Sequence, residues 1–131
     1  MKLSKRILNV AICLALLVSL SSLAFATTSE TLFTRSAAGY WCTGSGIVAD
    51  WSATAVFDAE SRSRAVPPEY ATCETWVLAY DSEGNLIGAS TTANGTLHST
   101  ATYISETLID HAYFSFEFCN LDLGGYILYN S

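Results

Sequence analysis

Two tight-turn motifs between short extended runs, in residues 71–104, constrain the fold of this chain more than any other feature. The motif DSEG at residues 81–84 has aspartate first and glycine fourth, which favours a type I turn that closes a β-hairpin. Asn94-Gly95 is the favoured two-residue hairpin turn. Because both motifs are flanked by runs of extended character, the segment predicts three antiparallel strands in a meander.

The two turns set a strand register, and the register predicts which side chains form the core. Closing the first hairpin pairs Tyr80 with Leu86, and the Asn-Gly turn sets Gly88 opposite Ala101. A third hairpin, before the phenylalanine-rich segment, places Ala101 opposite Phe114. Since side chains alternate between the two faces of a strand, one face becomes the predicted core. Its members are Trp76, Leu78, Tyr80, Leu86, Leu97, Ala101, Tyr103, Phe114, Phe116 and Phe118.

The remaining segments fit around this meander. Residues 27–38 are small and polar without a period, and they predict a flexible N-terminal arm. A first strand begins at residue 39 and ends at a turn over residues 44–46, GSG. Residues 61–70 contain a Pro-Pro pair and predict a loop. Gly124-Gly125 predicts a turn into a last strand over residues 126–129.

The strand count sets the fold class. About seven extended segments and no sustained helical period predict an all-β protein. A small single-domain antiparallel β-sandwich over residues 39–131 is the predicted architecture, because an aromatic sheet face requires a second apolar layer over it. A small β-barrel is the alternative.

The N-terminus has the three-part pattern of a secretory signal peptide. Lys2, Lys5 and Arg6 precede an apolar run over residues 7–20, and an A-x-A site ends at Ala26. The pattern is bacterial in appearance. It predicts that residues 1–26 are a cleaved signal peptide, with cleavage after Ala26, and that the protein is extracellular.

Charge narrows the classes of partner. The signal peptide removes three basic residues, so the remaining chain has three arginines against 12 acidic residues, a net charge of −9. This balance argues against nucleic acid and against anionic membrane surfaces as partners. No membrane insertion is expected after signal cleavage.

Three cysteines remain after Cys13 leaves with the signal peptide, and an odd number permits one disulfide at most. Cys73 with Cys119 is the favoured pair, and Cys42 with Cys119 is the alternative. A Cys73–Cys119 bridge requires their strands to be neighbours, since strands two apart exceed the 4.4–6.8 Å that a disulfide spans between Cα atoms. A Greek-key sandwich meets this requirement by moving the middle strands to the other sheet, which sacrifices one hairpin. The spare cysteine could form a dimer.

The sequence offers no catalytic, metal or cofactor motif. His98 and His111 each lie beside a different turn at opposite ends of the predicted sheet, and they are expected to be surface histidines. Residues 81–85 could bind calcium weakly through their oxygens, but the hairpin turn already explains these residues. Trp41, Trp51 and Trp76 could supply a stacking platform for a sugar, although the register assigns Trp76 to the core.

These observations predict a binding or interaction module rather than an enzyme, with an unknown protein or carbohydrate as its partner. A secreted bacteriocin-like antimicrobial effector is the alternative hypothesis. A small secreted hydrolase ranks third, because no nucleophile motif is present.

Overall fold

A computed structural model describes residues 27–62, 66–95 and 97–131 of the chain. The predicted signal peptide, residues 1–26, lies outside the described residues. No helix among the described residues is long and apolar enough to cross a membrane. The elements are eight strands and one 3-10 turn: β1 Thr27–Ala37, β2 Tyr40–Ala49, β3 Ser52–Ser61, the 3-10 turn Pro68–Tyr70, β4 Cys73–Tyr80, β5 Leu86–Gly95, β6 His98–Ile104, β7 His111–Phe118 and β8 Leu121–Tyr129.

The strands form two antiparallel sheets of four. The first sheet has the order β1-β2-β3-β6, and the second has the order β5-β4-β7-β8. Neither sheet closes into a barrel, and their inner faces enclose one hydrophobic core. The structure therefore confirms the all-β class and is consistent with the predicted β-sandwich.

Strand β1 corrects the prediction of a mobile arm over residues 27–38. It pairs with β2 from Thr27 opposite Ala49 to Ala37 opposite Tyr40. The sequence of β1 looks irregular because β1 is an edge strand, most of its residues are exposed, and a bulge interrupts its alternation. Its anchor is Phe33, whose ring centroid lies 5.2 Å from that of Phe116.

The glycines at residues 44 and 46 lie inside β2, so the predicted turn there is wrong. They allow two phenylalanine rings to approach the backbone closely. A Cβ on Gly44 would lie 2.1 Å from Cε1 of Phe33, and a Cβ on Gly46 would lie 2.7 Å from Cε2 of Phe114. Gly44 and Gly46 are therefore positions where phenylalanine rings pack directly against the backbone of β2.

The glycine pair at residues 124 and 125 is likewise internal to a strand, β8, and does not begin it. Gly124 has φ of +104° beside an irregularity in the β7–β8 register. The turn before β8 is made by Cys119 and Asn120, with φ of 50° and 63°. Asparagine adopts this left-handed region more readily than most residues, whereas a cysteine there is unusual.

The Asp81 turn is confirmed, although its register holds only at the closing pair. The amide of Gly84 donates to the carbonyl of Asp81 at 3.1 Å, and Tyr80 lies opposite Leu86. An irregularity after this pair shifts the ladder by one residue on β5, so that Leu78 faces Ala89 and not Gly88.

The other two predicted hairpins are wrong, because β6 belongs to the first sheet and its neighbours along the chain belong to the second. Strand β6 pairs with β3, where Ala101 lies opposite Ala55. Strands β5 and β6 still meet at their edges through side chains. The hydroxyl of Thr92 donates to the carbonyl of Thr100 at 2.8 Å, and that of Tyr103 donates to the carbonyl of Ile87 at 3.3 Å.

The predicted core is correct for β7 and inverted for β4. Because β6 leaves the second sheet, β4 pairs directly with β7, and Val77 lies opposite Phe114. The phenylalanines of β7 fill the interior, so the smaller side chains of β4 face inward, and Trp76, Leu78 and Tyr80 lie on the outer face. Leu86 is exposed, whereas Leu97 and Tyr103 are partly buried and pack against the core. The buried apolar residues are Ala37, Tyr40, Cys42, Val48, Ala53, Ala55, Phe57, Ala71, Cys73, Val77, Ala79, Ala101, Ile109, Ala112, Phe114, Phe116, Phe118, Leu123 and Leu128.

Candidate functional site

The outer face of the second sheet is the main candidate for a functional surface. The strand registers arrange its side chains in rows that cross the sheet. The first two rows are mainly aromatic and aliphatic, the third has Trp76 among small or hydroxyl-bearing residues, and the fourth carries acidic side chains. We call the first three rows together the aromatic face and the fourth row the acidic row. In order, the rows are Leu86, Tyr80, His111 and Tyr129; Ala89, Leu78, Tyr113 and Ile127; Thr91, Trp76, Ser115 and Gly125; and Glu74, Glu117 and Asp122.

The first row is an aromatic stack built around His111. The ring of Tyr80 lies parallel to the imidazole, with centroids 5.0 Å apart and an interplanar angle of 5°. The ring of Tyr129 covers the other side at 4.9 Å. The Nδ1 atom of His111 lies 2.8 Å from a carboxylate oxygen of Asp110. The imidazole is therefore held in one orientation and forms part of the face.

A shallow groove of about 460 Å³ lies between the second, third and fourth rows. Trp76 and Tyr113 supply its aromatic surface, and Glu117 and Asp122 supply carboxylates. A Cβ on Gly125 would lie 1.8 Å from the hydroxyl of Tyr113, so the tyrosine side chain lies close against the backbone of β8. The groove is thus an aromatic depression with acidic groups at one end, which can accept a ligand group that has both apolar and polar parts.

The acidic row places like charges side by side. Glu74 lies directly opposite Glu117, and Glu117 lies directly opposite Asp122. Among the described residues the ion pairs are His98 with Asp58 and His111 with Asp110, so none of the three carboxylates has a cationic partner there. Like charges at directly opposed positions destabilise a sheet.

A second depression of about 460 Å³ lies at one end of the sandwich, beside the Asp81 turn and Asn130. Its polar groups hold the loops together. The Asp81 carboxylate accepts hydrogen bonds from the backbone amides of Asn85 and Glu83, and these bonds, that from Asn85 first, lower the pKa of Asp81. The Asn130 amide donates to Asp50 at 2.8 Å. No group of three or more metal-ligating side chains that could hold an ion is found in the described part of the chain.

The three cysteines are free thiols, so the predicted Cys73–Cys119 disulfide is not formed in this structure. The topology that it required is present, since β4 and β7 are neighbours and the amide of Cys119 donates to the carbonyl of Thr72 at 2.7 Å. Burial, followed by the neighbouring Cys119, raises the pKa of Cys42 to about 11. Burial also raises the pKa of Cys73, whereas a hydrogen bond with Ser99 opposes that rise.

The other candidate residues lie away from the aromatic face. His98 is exposed on the first sheet, and its Nδ1 atom forms a hydrogen bond with the Asp58 carboxylate. Trp51 lies between β2 and β3 with 46% of its surface exposed, and the Trp41 ring is covered by Arg62 at 5.0 Å. The outer face of the first sheet is largely polar, with the hydroxyls of Thr54 and Thr102 3.1 Å apart. Of the three tryptophans considered for a platform, only Trp76 lines the groove.

The fold and this surface define a two-sheet antiparallel β-sandwich whose aromatic face is not covered by any element in the described part of the chain. No model of a known protein family matches the sequence, and no curated protein matches it as a relative.

Proposed function

We propose that this protein acts by binding, as a small extracellular module, and that the aromatic face is its recognition surface. The observation that carries the proposal is the row arrangement of Tyr80, His111, Tyr129, Tyr113 and Trp76 on a sheet face that no other element of the described chain covers. Contiguous apolar surface of this kind marks interaction sites in soluble proteins. Leu86, Ile127 and Tyr129 on the same face are each more than half exposed.

Rigidity supports this assignment. The central side chains of the face project from β4 and β7, which are hydrogen-bonded to a strand on both sides, and His111 is fixed between two rings. A surface that is already ordered loses little conformational entropy when a ligand binds. Aromatic side chains also bury much area with few rotatable bonds, which is why they dominate the energetics of binding sites.

Single-residue variants test the proposal with the purified protein on arrays of glycans and of peptides. Trp76→Ala and Tyr113→Ala remove the aromatic surface of the groove, and we expect retention of the captured ligand to fall about tenfold or more. Trp51→Ala removes an equally large ring outside the face, and it should retain the ligand as well as the unmodified protein does. Thermal unfolding of each variant checks that the sandwich remains intact.

Two results would overturn the proposal. One is loss of binding in Trp51→Ala while Trp76→Ala and Tyr113→Ala still bind. The other is that no immobilised glycan or peptide is retained by the unmodified protein.

A further inference from the structure

We infer that the partner of the aromatic face is a protein segment in which arginine or lysine lies beside an apolar side chain. This inference rests on the proposed function and specifies the ligand class of the same surface. It is carried by charge complementarity between a cationic side chain and the carboxylates at one end of the groove, Glu117 and Asp122. The rings of Trp76 and Tyr113 line the rest of the groove and suit an apolar side chain.

The spacing allows one cationic side chain to use both parts of the groove. Trp76 lies two residues after Glu74 of the acidic row on β4, which is about 7 Å along a strand. Within the acidic row, each step from Glu74 to Glu117 to Asp122 is about 5 Å, the distance between neighbouring strands. A guanidinium group can stack on an indole and pair with a carboxylate at this distance.

Among the described residues, one carboxylate of the acidic row has a structural role and the other two do not. Asp122 accepts a hydrogen bond from the amide of Gly124 at 2.8 Å, which stabilises the irregularity in β8. Glu74 and Glu117 have no comparable role, and they face each other without a cation from the described residues. Arrangements that oppose folding are retained at functional sites, where they are compensated when the ligand binds.

A protein segment fits the whole surface better than a metal ion or a small cation. The described residues do not provide a cluster that could hold a metal ion. Beyond the carboxylates the face continues into the apolar row of Leu78, Tyr113 and Ile127. In an extended peptide, every second side chain points to the same side. Such a peptide can therefore present a cationic side chain to the carboxylates and an apolar one to the row of Leu78, Tyr113 and Ile127.

The test uses an acetylated hexapeptide of three leucines and three arginines, together with the same peptide in which citrulline replaces arginine. Citrulline keeps the shape of arginine and removes its charge. The purified protein should bind the arginine peptide at least tenfold more tightly than the citrulline peptide, and added salt should weaken only the former.

Two triple variants separate local charge from overall charge. Glu74→Gln with Glu117→Gln and Asp122→Asn neutralises the acidic row, and we expect tenfold weaker binding of the arginine peptide. Glu30→Gln with Glu60→Gln and Glu106→Gln removes the same charge at exposed positions outside the face, and binding should stay within twofold.

Equal affinity for the two peptides would overturn the inference, as would equal losses in both triple variants or tighter binding of a neutral glycan. The proposed function survives these results if Trp76→Ala still abolishes binding of whichever ligand is retained. If Trp76→Ala and Tyr113→Ala leave every ligand bound, the proposed function itself fails.

Discussion

At the scale of single residues, the second sheet concentrates unfavourable charge at Glu117. This side chain has a carboxylate directly opposite on each neighbouring strand, Glu74 on β4 and Asp122 on β8. Neutralising an exposed glutamate usually changes the free energy of unfolding very little, because water screens its charge. Glu117 differs because its two neighbours are fixed by the strand ladders on either side.

We therefore predict that Glu117→Gln stabilises the fold. Removing two like-charge cross-strand contacts should raise the free energy of unfolding by about 0.5–1 kcal/mol. Urea denaturation at low salt measures the change, and the gain should shrink as salt is added. Glu106→Gln, in the loop after β6, is the control and should leave the midpoint unchanged. A lower midpoint for Glu117→Gln would show that this glutamate makes a stabilising contact.

The thiol of Cys42 predicts a loss of stability in alkali. Burial raises the pKa of Cys42 from its ordinary value of 9.0 to about 11, so the folded state disfavours the thiolate. The unfolded thiol ionises first, and the stabilisation present below pH 9 is lost between about pH 9 and 11, with a slope of about 1.4 kcal/mol per pH unit at most. Urea midpoints across this range should fall less steeply in Cys42→Ala. An unchanged slope in that variant would place the effect in other groups.

At the scale of elements, β1 completes the first sheet and also covers part of the core. Phe33 contacts Phe116, and its ring stacks on that of Tyr126 with centroids 5.5 Å apart. The same ring lies against Gly44 of β2. One side chain of β1 thus joins β1 to β2, β7 and β8.

Replacing this ring tests whether β1 is an integral strand. Phe33→Ala should cost about 3 kcal/mol, because it leaves a cavity between the sheets. The neighbouring Thr34→Ala, at an exposed position of the same strand, should change stability by less than about 0.5 kcal/mol. Chemical denaturation compares the two variants. Equal and small effects would mean that residues 27–37 behave as an arm.

The pairing of β4 with β7 brings Cys73 near Cys119, but the two thiols differ in burial. The order in which the cysteines are labelled should reflect this difference. Cys42 and Cys73 are buried, whereas Cys119 is partly exposed in the turn before β8. Alkylation of the folded reduced protein, followed by mass mapping, should therefore modify Cys119 first. Cys42 and Cys73 should react at the rate of local opening. Faster labelling of Cys42 would contradict the packing of β2 against the second sheet.

Sequence patterns were sufficient for the elements that local chemistry determines. The Asp81 turn and the phenylalanine side of β7 follow from turn residues and from alternation. The Asn-Gly motif did not reveal that the chain changes sheets between β5 and β6, because a turn motif does not specify whether its flanking strands share a sheet. The face of β4 was also ambiguous, since both sides of the sequence CETWVLAY carry apolar residues. Only the volume of the phenylalanines opposite decides which side is buried.

At the scale of the whole molecule, the two outer faces differ in chemistry although they belong to one sandwich. The first sheet presents threonines such as Thr54 and Thr102, and the second presents the aromatic face and the acidic row. The error in the core prediction concealed this contrast, because it placed Trp76, Leu78 and Tyr80 inside. Their outward position is the observation from which the proposed function arises.

The most direct test of that function is a map of amide chemical-shift changes in the ¹⁵N-labelled protein as the arginine–leucine peptide is added. We expect changes in β4, β7 and β8 that centre on Trp76, Tyr113 and Glu117, together with a shift of the Trp76 indole N–H. The indole signals of Trp41 and Trp51 should not move. Changes centred on the first sheet, or spread evenly over both sheets, would contradict the assignment of the aromatic face as the recognition surface.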